Sequence, residues 1–369
     1  MATGITTYQC PACTGPLHFV GESGKLECDY CGKAYDVAEI EKLYSEKEAA
    51  SVEAQAKADA TRERENAAAQ EMGMSWDAQE VAGMKSYNCP SCGAELICDA
   101  TTAATSCPYC GNPTIVPGQF TGGLKPELVI PFRLDKQAAI TALKNYYRGK
   151  KLLPKSFKDQ NHIEEIQGVY VPFWLCDCEV DGSIHYHATN TSTWREGDYV
   201  VTQTKHYEVD RSGQIGFRQV PVDASTKMPD AHMDAIEPYD YSDLRPFSSA
   251  YLPGFLADKY DVNQQESLPR IQSRAENSAE MEMRNTVQGY STVTATSKNL
   301  NFSHSGMKYA LMPVWMLSTK WKDQNFLFAM NGQTGKLVGD LPIDNGKRVA
   351  WFVGTAIVSL LLQLAFWWC

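Results

Sequence analysis

The chain has 369 residues, enough for about two or three ordinary domains, and carries a formal net charge of −10 with a pI near 5.3. This acidic balance excludes a general electrostatic attraction to nucleic acid. Residues 1–9 are polar and predict no signal peptide, and the pairing of the cysteines argues against a secreted disulfide framework. We therefore expect a body in the reducing cytosol.

Two copies of one cysteine pattern lie in the first third of the chain. Each copy holds two Cys-x-x-Cys pairs with fourteen residues between them, and the second copy follows the first at an offset of 79 residues. Four thiolates supplied by two tight turns are the ligand set of tetrahedral Zn²⁺. We predict two zinc ribbons, ribbon 1 over 1–38 and ribbon 2 over 84–118, each with one structural zinc. The predicted ligands are Cys10, Cys13, Cys28 and Cys31 in ribbon 1, and Cys89, Cys92, Cys107 and Cys110 in ribbon 2.

Residues 39–83 are predicted to join the two ribbons as a long helix. The segment is rich in Ala, Glu, Lys and Arg, and it has no Gly or Pro before Gly73. Large apolar residues do not recur at the spacing of a coiled coil. A solvated spacer helix is therefore expected, with a weak self-association helix as the alternative.

Residues 124–345 are predicted to form an α+β domain, with an antiparallel sheet and helices on one face. Asp135 suits the N-cap of a helix, and two turn signals, Asp181-Gly182 and residues 211–213, predict two hairpins. The expected strands are 128–132, 169–178, 183–189, 199–209, 214–222, 308–321, 325–330 and 336–340. The expected helices are 135–148, 250–260 and 264–287, the last interrupted at Pro269.

A repeat suggests a further metal site in this domain. Residues 171–190 align without gaps on 312–331, which indicates a duplicated hairpin. A turn at Asp181-Gly182 would place Cys178 opposite His185 and Cys176 opposite His187 on one face. Two thiols and two imidazoles could bind a metal, but a packed core face is the alternative, because the aligned positions of the second copy are mostly apolar. Those positions are Leu317, Thr319, Phe326 and Phe328.

A basic stretch with interleaved aromatic residues, 144–158, is a candidate binding surface. Tyr146, Tyr147 and Phe157 lie among its cations, a combination that suits single-stranded nucleic acid. Anionic lipid, a protein partner or an ordinary solvated helix end are the alternatives. The candidate contact residues are Lys144, Arg148, Lys150, Lys151, Lys155 and Lys158.

The last 21 residues, 349–369, carry no charge and follow Lys347 and Arg348. Their length and apolarity predict a single C-terminal transmembrane anchor, and the preceding cations predict that the body faces the cytoplasm. The sequence has no Walker A spacing, no GxSxG elbow and no HExxH motif. We therefore predict that the protein is not an enzyme.

Ribbon 2 and the segments 129–132, 168–174 and 328–336 resemble a bacterial family of transcription-factor-IIB-type zinc-ribbon proteins, over residues 85–345. Members are often catalogued as similar to the primosomal replication helicase. The resemblance implies zinc binding by the ribbon 2 cysteines and the same domain order. It does not imply helicase activity, because the Walker A motif is absent. We expect a membrane-anchored adaptor whose ribbons bind a protein partner. The main alternative is a nucleic-acid binder, and a weaker one is an enzyme whose site lies in the α+β domain. Partner identity and oligomeric state are left open by the sequence.

Overall fold

The computed structural model describes residues 8, 10–12, 17–21, 23–46, 66–67, 69–71, 73–89, 91–102, 104, 106–112, 116–120, 122–155, 157, 163–322 and 324–368. The chain divides into two compact units. Unit 1 comprises Met1–Val171, Ser225–Lys259 and Leu311–Cys369, and unit 2 comprises Pro172–Ala224 and Tyr260–Ala310.

Strands dominate both units. In the described residues they are β1 Leu17–Val20, β2 Lys25–Cys28, β3 Ala34–Tyr35, β4 Met84–Asn88, β5 Glu95–Asp99, β6 Val116–Gln119, β7 Leu128–Val129, β8 Gln167–Glu196, β9 Tyr199–Asp223, β10 Arg245–Pro246, β11 Leu256–Asp258, β12 Thr292–Trp321, β13 Gln324–Asn331 and β14 Leu337–Gly339. The helices there include α1 over 37–46, α2 Ala78–Ala82, α3 Lys136–Tyr146, α4 Asp230–Ile236, α5 Gln264–Asn285 and α6 Asn345–Trp368. The mixed α+β class follows from this inventory.

Ribbon 1 has a sheet and a core of its own within unit 1. Strands β1, β2 and β3 form a three-stranded antiparallel sheet in the described residues, with Leu17 opposite Cys28. Leu17 and Leu26 are buried with Ile40 of α1, beside the buried cysteines. A small apolar cluster and the thiol side chains therefore share one interior.

Ribbon 2 is instead built into a large sheet of unit 1. Its strands β4 and β5 are antiparallel, and β6 pairs with the far edge of β4. Strand β11 joins β5 to the rest of the sheet, because Asp258 is paired with Leu96 and Ala257 with Tyr170 of β8.

Helix α3 packs on a core cluster of unit 1 and confirms the predicted N-cap. The Asp135 side chain accepts a hydrogen bond from the backbone N–H of Ala138 at 2.7 Å and so satisfies one free donor of the first turn. The buried residues Leu143 and Tyr147 pack in a cluster that includes Phe328 of β13. Both the N-terminal cap and the burial of its apolar side chains therefore stabilise this helix.

The two predicted hairpins in unit 2 are wrong, and the duplicated hairpin is wrong with them. Strand β8 continues through Asp181 and Gly182 to Glu196, and β9 continues through the second predicted turn. Gly182 pairs directly with Gly213, so the two turn signals face each other in one ladder. The reversal occurs at Gly197-Asp198, where Gly197 has φ of 62°, a conformation that favours glycine in a two-residue turn.

Two helix predictions also need correction. Residues 250–260 are not a helix, because they hold only a short 3₁₀ turn, Ser249–Tyr251, followed by strand β11. Gly254 has φ of 83° and Pro253 precedes it, so a helix is disfavoured there. Helix α5 runs without interruption through Pro269 and begins with a capping box between Asn263 and Glu266.

The predicted transmembrane anchor over 349–369 is wrong, and so is the membrane localisation inferred from it. Of the helices in the described part of the chain, none combines the length and apolarity that a membrane crossing needs. Helix α6 begins at Asn345, so Lys347 and Arg348 lie within its first turn rather than before it. Lys347 Nζ donates a hydrogen bond to the carbonyl oxygen of Leu153 at 2.6 Å. Within the predicted spacer helix, 39–46, 66–67 and 69–71 are helical, and 47–65 lie outside the described residues.

Candidate metal centres

The four cysteines of ribbon 2 converge on one point. Their Sγ atoms all lie within 4.8 Å of one another, with Cys89 and Cys110 separated by 3.6 Å and Cys92 and Cys107 by 3.6 Å. Sulfur ligands about 2.3 Å from a tetrahedral Zn²⁺ lie roughly 3.8 Å apart. The donor set and its spacing therefore fit a four-coordinate zinc ion.

Each turn of ribbon 2 is held by an equivalent backbone hydrogen bond. The N–H of Gly93 donates to the carbonyl of Cys89 at 2.8 Å, and the N–H of Gly111 donates to that of Cys107 at 2.9 Å. Both glycines have positive φ, 71° and 68°, which residues with a Cβ rarely adopt. The Cys-x-x-Cys-Gly sequence thus determines the turn locally, and the turn aims two thiols inward.

The electrostatics of ribbon 2 favour a bound cation. Hydrogen bonding from Cys107 holds the pKa of the Cys89 thiol far below its ordinary value. The pKa of Cys107 is raised, because its thiol donates to Cys110 and to its other neighbours. Four crowded thiols cannot all ionise without a compensating positive charge, and a divalent metal supplies that charge.

Ribbon 1 repeats this arrangement with three described thiols. The Sγ atoms of Cys10, Cys28 and Cys31 lie within 4.8 Å of one another, and the N–H of Gly32 donates to the carbonyl of Cys28 at 2.9 Å. The fourth predicted ligand, Cys13, lies outside the described residues. Three converging thiols already match the ligand chemistry of a zinc ribbon.

One tyrosine distinguishes the two ribbons. Tyr109, between the last two cysteines of ribbon 2, is buried, and its hydroxyl donates to the carboxylate of Asp258 at 2.6 Å. Ser225 Oγ donates to the same carboxylate at 2.7 Å. Burial and the neighbouring carboxylate raise the pKa of Tyr109 well above its ordinary value. The corresponding residue of ribbon 1, Tyr30, is 44% exposed.

The predicted basic stretch is mostly a solvent-facing surface. Lys144 and Arg148 are exposed, and so is Lys155. Lys150 Nζ lies 4.8 Å from the ring centroid of Tyr146, and Lys151 Nζ lies 4.5 Å from that of Trp351. Lys158 lies outside the described residues.

The aromatic residues of this stretch mostly belong to the core. Tyr147 and Phe157 are buried, so neither is available for stacking on a base. Tyr146 is half-buried, and its hydroxyl donates to the carbonyl oxygen of Gly339 at 2.9 Å. Contact with nucleic acid through this stretch stays a prediction.

The predicted cysteine–histidine patch does not assemble. Cys176 and Cys178 are buried and pack with Ile271 and Ala275 of α5, and burial raises the pKa of Cys176 to about 12. The nearby histidines pair with β9 instead, where His185 contacts Asp210. Because the strand continues where a turn was expected, the thiols and imidazoles never face each other. Sequence reasoning missed His206 and Glu208, since their partner on β8 is set by the long-range register.

Unit 1 also contains a cavity of about 600 Å³ beside the second turn of ribbon 2. Cys107 and Pro108 lie on its wall, together with charged residues at the start of α3. One of these, Asp135, already caps the helix.

Two comparisons place the chain among known proteins. Residues 9–39 match the Trm112p-like protein family. The uncharacterized protein YdjG of Bacillus subtilis is 35% identical over 338 residues, an alignment that covers 76% of this chain and 99% of YdjG. No solved structure matches the chain. Neither match is to a transcription-factor-IIB-type or primosomal-helicase protein, so the comparisons support a zinc ribbon at the N-terminus and not the finer resemblance.

Proposed function

The chain belongs to the family of the uncharacterized protein YdjG of Bacillus subtilis, and on that premise we propose that it is a non-catalytic, zinc-dependent binding protein. Ribbon 1 is the module that contacts a protein partner, and ribbon 2 is a structural part of unit 1. The single observation that carries the proposal is the different use of the same motif in the two ribbons.

Strands β4 and β5 of ribbon 2 are paired on both edges within unit 1. Strand β5 is paired on both edges, with β4 and with β11. The Tyr109 hydroxyl is bonded to a buried carboxylate. The surface of ribbon 2 around Tyr109 is therefore covered by other parts of unit 1. A zinc ion in ribbon 2 would stabilise the sheet rather than support a binding surface.

Ribbon 1 keeps the corresponding surface accessible. Tyr30 is 44% exposed and Phe19, on β1, is 60% exposed. Exposed aromatic residues on a small rigid module are suited to serve as anchors at a protein interface. Ribbon 1 is also acidic, with Lys25 and Lys33 against four carboxylates over residues 1–38. This balance disfavours phosphate and favours a protein partner.

The test is affinity purification of the full chain from its native host, with quantitative mass spectrometry. We compare the wild type with Phe19→Ala, Tyr30→Ala and the zinc-ligand variant Cys28→Ser. A matched control is Tyr199→Ala, which removes an aromatic residue that is 78% exposed in unit 2.

We expect that at least one partner protein is recovered with the wild type and with the control, and that this partner is lost with all three ribbon 1 variants. The recovered partner is then purified, and its binding to the same variants is measured by calorimetry. Equal recovery by the ribbon 1 variants and the wild type would contradict the assignment of ribbon 1 as the binding module.

A further inference from the structure

A cross-strand pair of histidines lies on the long ladder of unit 2. Strands β8 and β9 place Glu208 opposite His187 and His206 opposite Thr189. The two imidazoles therefore occupy diagonal positions on one face, and His187 Nε2 lies 3.0 Å from His206 Nδ1. The register of a continuous ladder is rigidly specified, so this proximity is a property of the sheet.

The second nitrogen of His187 is oriented by a carboxylate. His187 Nδ1 lies 2.9 Å from Glu208 Oε1. An ionised carboxylate only accepts hydrogen bonds, so this contact assigns the proton to Nδ1 of His187. The lone pair on its Nε2 then accepts the hydrogen bond from His206 Nδ1–H. A bound metal ion replaces that proton, and His206 then carries its proton on Nε2. A histidine whose one nitrogen donates to a carboxylate, while the other faces a second ligand, is the usual arrangement of a metal-binding histidine.

The pair is accessible from solvent. The alternate residues of β8, Ile184, Tyr186 and Ala188, are buried with Met283 of α5. Side chains of a strand alternate between faces, so the odd-numbered residues lie on the face away from α5. The side chain of His187 is 37% exposed there, and a hydrated cation can reach it.

We propose that His187 Nε2 and His206 Nδ1 bind a divalent transition metal of the zinc type, with Glu208 as a positioning residue. Imidazole ligands suit Zn²⁺, Ni²⁺ and Cu²⁺. Two nitrogens bonded at about 2.0–2.1 Å to a tetrahedral zinc lie roughly 3.3 Å apart, close to the observed separation, and water fills the other positions. The site uses no cysteine and does not rest on the function proposed for ribbon 1.

The experiment measures zinc in the tag-free full chain, equilibrated with Zn²⁺ at neutral pH and analysed by elemental mass spectrometry and calorimetric titration. We expect the wild type to bind one equivalent more than His187→Gln or His206→Gln. The matched control is His185→Gln, on the same strand and face and also bonded to a carboxylate, Asp210. This control is expected to keep the extra equivalent. Glu208→Gln is expected to weaken the affinity by about 10–100-fold, as for other residues that orient a ligand.

A further readout separates metal binding from an effect on folding. The imidazole resonances of His187 and His206 should shift in NMR spectra when Zn²⁺ is added, and those of His185 should not. Equal zinc content in the wild type and both pair variants would overturn the proposal. Loss of the equivalent in His185→Gln as well would also overturn it, since the pair would then not be the specific site.

Discussion

Substitution of Tyr109 by phenylalanine should destabilise the protein, and the same change at Tyr30 should not. Tyr109 is buried, and its hydroxyl donates to the carboxylate of Asp258, which is only 2% exposed. Tyr30 occupies the corresponding position of ribbon 1 and is 44% exposed. The two changes remove the same atom from the same motif, so the difference between them isolates the contact with the sheet.

The magnitude follows from that contact. A hydrogen bond to a charged group contributes about 1.5–3 kcal/mol to stability. Asp258 keeps the hydrogen bond from Ser225, so the carboxylate is not left without a donor, and we expect about 2 kcal/mol for Tyr109→Phe. A cooperative unit of about 150–250 residues loses roughly 2–4 °C in Tm per kcal/mol, which gives about 4–8 °C here. For Tyr30→Phe we expect less than about 0.5 kcal/mol, the usual range for an exposed position.

The assay is urea unfolding of the zinc-loaded full chain, followed by circular dichroism and by release of zinc to a chromogenic chelator. For Tyr109→Phe the transition that releases the ribbon 2 zinc should move to lower urea with an unchanged slope. An unchanged midpoint, or an equal shift in Tyr30→Phe, would show that the buried hydrogen bond does not hold ribbon 2 on the sheet.

Three further predictions follow. Cys89→Ser and Cys28→Ser should each remove one zinc, measured by elemental analysis. Only Cys89→Ser should lower the unfolding midpoint of unit 1, because β4 and β5 belong to its large sheet. Equal midpoints for the two variants would contradict this. Gly182→Ala should destabilise unit 2 by about 1–3 kcal/mol, because the new methyl group would overlap the carbonyl oxygen of Asn299. The control is Gly213→Ala on the paired strand, whose methyl group would meet nothing within 4 Å. Thermal unfolding of both variants measures the difference. Cys176 should resist iodoacetamide at pH 8 in the folded protein and react in urea. Burial raises its pKa to about 12, and the thiolate is the reactive form. Rapid alkylation of the native chain, detected by peptide mass spectrometry, would refute this.

Features set by neighbouring residues could be predicted from the sequence. The Cys-x-x-Cys-Gly turns form because glycine adopts positive φ directly after the second cysteine, as Gly93 and Gly111 do. Asp135 caps α3 because its side chain needs to reach only three residues ahead. The ribbon 2 thiols that converge lie in two such turns.

Two predictions made from local composition were wrong, the C-terminal membrane anchor and the turn at Asp181-Gly182. The uncharged C-terminal segment predicted a membrane anchor, but no described helix meets the requirements for crossing a membrane. The Asp181-Gly182 dipeptide predicted a turn, because such pairs often form one. In the structure Gly182 is needed for the close approach of Asn299 instead, and the chain turns at Gly197.

The sequence by itself determined the two cysteine clusters, the capped helix α3 and the mixed α+β class, because each depends on spacing within a few residues or on overall pattern. Only the tertiary structure decided that ribbon 2 is a part of the large sheet while ribbon 1 has its own, and that His187 meets His206 rather than a cysteine. The physical reason is that strand pairing joins residues far apart in sequence. Its register is fixed by the burial of a whole face and cannot be read from either strand alone.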